Sequence, residues 1–158
     1  MSISKNIQLF LTLRLRELKL KRQDFIKGSN ISNTVTSKLL NATQINPSFT
    51  TILKIANYFN CSIDEVIGRK SNILTKSNKY KLNLTQTELS TNLKKFIKNK
   101  LTAHNMSPYH LSKTLQLGET IIFTFLNNKN NTKIFSSRIL ITLADYFDVP
   151  IDKMVGRI

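Results

Sequence analysis

The chain has 158 residues, 41% of them hydrophobic, which is enough for one ordinary domain or two very small ones with buried cores and too much for a disordered polymer. Its 24 Lys and Arg against 9 Asp and Glu leave a formal charge of +15, a field that attracts polyanions, nucleic acid foremost. The lone Cys61 and the two histidines leave no intramolecular disulfide and no Cys/His zinc cage, and no apolar run approaches the roughly 18 to 20 residues of a membrane span. Neither a signal peptide nor a transmembrane segment is expected, and a cytoplasmic setting follows.

The spacing predicts a first helix on Ile7, Phe10, Leu11, Arg14, Leu15 and Leu18, which recur at three- and four-residue steps. A second helix is predicted from Arg22 to Gly28, and a third after Ser32. A fourth starts after Ser48 and carries Ile52, Leu53, Ile55, Ala56 and Phe59. A short fifth opens at Ser62 with Glu65 three residues on, the pattern of a capping box, and stops at Gly68. The segment 71–87 is polar and basic with scattered Ile73, Leu74, Tyr80, Leu82 and Leu84, a linker that packs in part. As flexible chain it would have an r.m.s. span of about 23 Å, and stretched it would reach one duplex turn of roughly 34 Å.

The same elements then return. ANYFNCSIDEVIGR, Ala56 to Arg69, is answered by ADYFDVPIDKMVGR, Ala144 to Arg157; SKNIQLFLTLRL from Ser4 by STNLKKFIKNKL from Ser90; and KLLN ending at Asn41 by TFLN ending at Asn127. The shift grows by two residues between these matches, which places an insertion near Asn128 to Lys133. In the second copy the first helix carries Leu93, Phe96, Ile97, Lys100, Leu101 and His104. The second helix begins at Ser107 as N-cap with Pro108 at its first turn, the third begins near Gly118, and the fourth follows Ser136. No run alternates apolar and polar residues between hairpin turns, so no β structure is expected. Charge divides evenly: residues 1–70 carry 11 basic and 4 acidic groups, 71–89 carry 3 and 1, and 90–158 carry 10 and 4.

Five short helices with a tight corner between the second and third resemble the phage-repressor (Cro/cI-type, XRE) helix-turn-helix family. The gapless stretch LKRQDFIKGSNISNTVTSKLLNATQINPSFTTILKIANYF and the closing IANYFNCSIDEVIG carry the likeness. Departures are Lys21 where the family has a capping Ser, Arg22 for Gln, Ile26 for a small residue and Asn30 for the turn Gly; the second copy has a small Ser112 but Gln116 at the turn. The resemblance implies an all-α chain of two tandem five-helix lambda-repressor-like DNA-binding domains, at 1–70 and 88–158. It also implies a transcriptional regulator, of the repressor kind in this family, that occupies an operator on double-stranded DNA as a homodimer or as a covalent pseudo-dimer.

A reading helix enters a major groove about 12 Å wide, so its outward face needs short polar or basic side chains. In the first copy that face is Ser32, Asn33, Thr34, Ser37 and Lys38, with Leu39 and either Val35 or Thr36 turned inward. Backbone phosphates fall to Arg22 and Gln23 at the start of the second helix and to Thr43, Gln44 and Asn46 in the loop after the third. In the second copy the face reads Gly118, Glu119, Thr120, Ile121, Phe123 and Thr124, with Tyr109, Lys129 and Lys133 as further DNA candidates. A carboxylate and exposed apolar groups leave two readings of that copy open: a second reader with unusual preferences, or a helix turned to protein contact. A toxin-neutralising antitoxin is the alternative for the whole chain. Arg14, Arg16 and Lys19 read as solubilising charge, Cys61 as a small core residue matching Val149, and His104 as an apolar-face histidine in the slot of Leu18. No carboxylate pair, Gly-rich phosphate loop or Ser/His/Asp set suggests an enzyme, and no cofactor or metal is expected.

Overall fold

Most of the expected helices begin where a side chain can satisfy the orphan N–H groups of the first turn, and the computed structural model shows how. It describes residues 2–70, 79–130 and 132–158. The predicted linker residues 71–78, including Ile73 and Leu74, and Asn131 of the predicted insertion lie outside the described residues. Among the described residues every regular element is an α-helix, and the chain divides into two units, residues 1–76 and 77–158.

The first unit contains α1 (Ile3–Glu17), α2 (Arg22–Ser29), α3 (Asn33–Leu40), α4 (Phe49–Phe59) and α5 (Ile63–Ile67). The hydroxyls of Ser2, Ser32, Ser48 and Ser62 accept from the N–H three residues on and so open four of these helices. Lys21 offers α2 no such acceptor; the Asp24 carboxylate instead reaches back to the Lys21 N–H at 2.8 Å. Ile7, Leu11, Phe25, Leu39, Ile52, Ile55, Ile63 and Val66 are almost fully enclosed, and α1 packs on α5 and α3 while α4 packs on α5 and α2. Burying each such side chain stabilises the fold by about 1.5–3 kcal/mol. An aromatic cluster closes one end: the Phe25 ring stands 5.3 Å from Tyr58 and 6.0 Å from Phe59, and Phe59 meets Phe10 edge-on at 5.6 Å.

The second unit contains α6 (Gln86–Ala103), α7 (Pro108–Thr114), α8 (Ile121–Asn127), α9 (Ser137–Phe147) and α10 (Ile151–Met154). Its core is Leu89, Leu93, Ile97, Leu111, Ile122, Leu140, Leu143 and Met154. Two internal features of the first unit recur in it. Left-handed backbone occurs at Lys19, Asn30, Asn60 and Gly68 in one and at Asn105, Gln116, Asp148 and Gly156 in the other. The Asn6 side chain donates to the Ile67 carbonyl at 2.9 Å beneath Gly68, and Asn92 donates to the Val155 carbonyl at 3.0 Å beneath Gly156.

Several expectations are corrected. α8 begins at Ile121 and not near Gly118: a glycine has no side chain with which to cap, so Gly118 to Thr120 form a turn whose Gly118 carbonyl accepts from Ile121 N–H at 3.1 Å. α6 starts at Gln86, inside the segment read as linker, because Thr85 and Glu88 form a reciprocal capping box there. Ser62 and Glu65 make only half of theirs, since the Glu65 carboxylate turns to Arg14 at 2.5 Å. Arg14 is therefore not plain solubilising charge; it ties α1 to α5 and covers the Phe10 ring. Leu18 and His104 lie past the last turns of α1 and α6 and are exposed, not on the apolar face, although the His104 ring stays 5.9 Å from Phe147. Linker residue Tyr80 packs under the buried Arg157 guanidinium, 4.7 Å from its ring centre, and that guanidinium pairs with Asp152 at 2.5 Å.

Candidate nucleic-acid interface

The corner between α2 and α3 is set by small polar residues. Asn30 ends α2 in the left-handed region at φ 58°, a conformation that Asn tolerates, and the buried Ser29 hydroxyl accepts from the Ile31 N–H at 3.3 Å. Ile31 then plugs the core and Ser32 caps α3. From there the helical period decides which side chains face out. Thr36 and Leu39 turn inward, and Val35 is half-buried. Ser32, Asn33, Thr34 and Lys38 are exposed, with Ser37 half-buried between them, so the expected outward face is one contiguous polar surface.

Arg22 behaves differently from a free phosphate anchor. From the first residue of α2 its guanidinium reaches across to α3, donating to the Asn33 carbonyl at 3.1 Å, to Asn33 Oδ1 at 2.7 Å and to the Ser37 hydroxyl. This fixes the first turn of α3 against α2 and engages the Asn33 side-chain oxygen, so that what this exposed side chain still offers a partner is its amide N–H donors. Gln23 beside it is exposed. Beyond α3, Ala42 takes a left-handed turn at φ 54° and the Thr43 N–H returns to the Lys38 carbonyl at 2.9 Å, which brings the loop back alongside the helix end. Thr43 and Asn46 are exposed there and Gln44 is half-buried.

Two further residues of this surface were not singled out in the sequence. Ile45, between Gln44 and Asn46, is 81% exposed, and no periodic pattern marks a loop residue. Lys54 on α4 donates to the Asn30 carbonyl at 3.2 Å, closing the end of α2 from a distant part of the chain.

In the second unit the corresponding corner is tighter. Ser112 is fully buried and its hydroxyl accepts from the Ile122 N–H at 3.3 Å, a close approach of α7 and α8 that a larger side chain would block. Gln116 takes the left-handed turn at φ 56° despite its Cβ. Glu119 and Thr120 are exposed in the turn before α8; Thr124 and Phe123 are exposed on it, the latter at 56%, while Ile121 is half-buried. Tyr109 on α7 is half-exposed, and Lys129 and Lys133 are exposed in the loop that follows α8. The structure thus brings Thr120, Phe123 and Thr124 together near Glu119, but with no basic group on α8 itself.

Among the described residues no helix is long and apolar enough to cross a membrane. Residues 11–71 match the model of the Cro/C1-type HTH DNA-binding domain. Two relatives, named as uncharacterized HTH-type transcriptional regulators of Rickettsia prowazekii (strain Madrid E) and Rickettsia conorii (strain ATCC VR-613 / Malish 7), are each 40% identical over 73 residues. Those residues are 44% of this chain and 79% and 67% of the two relatives. No solved structure gives a significant match.

Proposed function

Because the chain belongs to the Cro/C1-type helix-turn-helix DNA-binding family of transcriptional regulators, we propose that it is a tandem regulator whose first unit reads an operator with α3 and whose second unit is a diverged copy of the same domain. The observation that carries the reading is the contiguous exposed face of Ser32, Asn33, Thr34 and Lys38, fastened to α2 through Arg22. Donor-bearing side chains on a rigid helix match the acceptors that bases present in the major groove. Gln23, Thr43, Gln44 and Asn46 flank that face and supply the backbone contacts that set its register.

Support for a duplicated domain comes from the paired left-handed turns and from the Asn–Gly contact that closes each unit. Operator occupancy by such a pair favours repression, since a bound protein excludes the polymerase from the same stretch of duplex. The exposed Phe123 and Tyr109 favour a second reading for α7 and α8, a contact with a protein, whether a second copy or a toxin. Binding competition tests the proposal: a preferred duplex is expected to displace random duplex by 10³-fold or more. Affinity that falls steeply with salt but is indifferent to sequence would leave a non-specific DNA binder instead.

A further inference from the structure

Basic residues of the second unit are not spread evenly. α8 carries none, yet a groove along its C-terminal end and the outer face of α6 gathers Lys94, Lys95, Lys98 and Lys129, with Asn99 and Asn128 beside them. Lys94 is buried and structural: its ammonium donates to the Asn128 carbonyl at 2.6 Å and lies over the Phe125 ring. Lys95, Lys98 and Lys129 are exposed. No acidic residue lines the groove. Glu88, two turns earlier on α6, is engaged at the helix start by the Thr85 N–H at 2.7 Å.

The equivalent groove of the first unit is far less basic, with a single lysine. Lys5, Gln8, Leu9 and Thr12 line it, Leu9 is 52% exposed, and the Gln8 amide takes the place of Lys94 by donating to the Leu40 carbonyl at 2.9 Å. So the unit with a polar reading helix has a nearly uncharged α1 groove, and the unit with an acidic and aromatic reading surface has a lysine-lined one.

We propose that the α6/α8 groove of the second unit is a cradle for duplex DNA phosphates, held by Lys95, Lys98 and Lys129, so that this unit grips the backbone where the first unit reads bases. The proposal rests on the DNA-binding reading above. Three ammonium groups on one concave surface suit neighbouring phosphates: Lys95 and Lys98 lie three residues apart on one face of α6, and Lys129 meets them from the loop after α8. Lys94 holds the loop end against α6 and thereby fixes where Lys129 stands.

The test is duplex binding by the full chain as a function of salt, wild type against K95A/K98A/K129A, on a preferred and a random duplex. Losing three phosphate contacts is expected to lower the slope of log K against log salt by about 2.7. It is also expected to weaken both duplexes by the same factor, because phosphate contacts carry no base information. Thermal unfolding should not change, since all three side chains are exposed, and K95R/K98R/K129R should keep the wild-type slope. An unchanged slope in the alanine variant overturns the cradle while leaving the DNA-binding reading intact, as does a loss confined to the preferred duplex. If the wild type itself binds no duplex, the DNA-binding reading falls and the cradle with it.

Discussion

Replacing Gly68 with Ala probes the contact that closes the first unit. Gly68 sits at φ +71°, and a Cβ built there would lie 2.8 Å from the Asn6 amide carbon and nitrogen. Left-handed backbone costs a residue with a Cβ roughly 1–2 kcal/mol. The clash falls on a side chain that can move, but moving it breaks the Asn6 bond to the Ile67 carbonyl and leaves that carbonyl unpaired, about a further 1 kcal/mol. G68A is therefore expected to lose about 2–3 kcal/mol, or roughly 10–20 °C in Tm for a unit of this size. In an N6A background only the backbone part remains, so the two substitutions should show a coupling of about 1 kcal/mol. Urea unfolding followed by circular dichroism, with amide exchange to locate the loss, measures both quantities. Gly156, at φ +74° and nearer still to Asn92, should behave alike and affect only amides of the second unit. Equal G68A penalties with and without Asn6 would refute the argument, and so would G156A amide losses spread over both units.

Further outcomes follow from single side chains. The Thr36 hydroxyl is fully buried with no hydrogen-bond partner, and Ile122 stands at the matching position of the second unit; T36V should raise stability by about 1 kcal/mol in denaturant titration. Arg22→Ala releases Asn33 and Ser37, so competition binding should show discrimination between preferred and random duplex falling by about 1–3 kcal/mol; an equal loss on both would make Arg22 a phosphate anchor instead. The Thr85 backbone N–H, then its hydroxyl, hold the Glu88 carboxyl below the ordinary carboxylate range. Its contribution to α6 is thus complete above the unfolded pKa of about 4.3 and lost as pH falls through the lower folded value, whereas T85A, which removes the hydroxyl but keeps the backbone N–H, should move the NMR titration of Glu88 only part of the way back toward the ordinary range.

The helices were legible because capping serines and apolar periods are local signals, and the two copies because Ala-x-Tyr-Phe and Ile-Asp recur with Gly-Arg at fixed spacing. What was not legible depends on partners distant in sequence. The Ser-x-Asn that opens both copies is visible as a match, but its purpose, an amide bonded beneath a glycine about sixty residues on, needs the fold. Arg22 looked like a solvent-facing anchor at a helix start, and only the approach of α3 shows it spanning to Asn33. α8 starts later than alignment with the first copy implies, because that alignment assumes an equal cap, which Gly118 lacks. The groove that Lys95 and Lys98 line also needs the fold, since its other wall is the end of α8, about thirty residues on.

The central claim, that α3 of the first unit is the principal reader, is tested most directly by selecting preferred sites from a random duplex library with the full chain and with N33A/K38A. The expected result is a defined site for the wild type whose information is lost in N33A/K38A and kept in E119A/T124A. Selection of the same site by N33A/K38A, or loss of the site in E119A/T124A alone, would contradict the account.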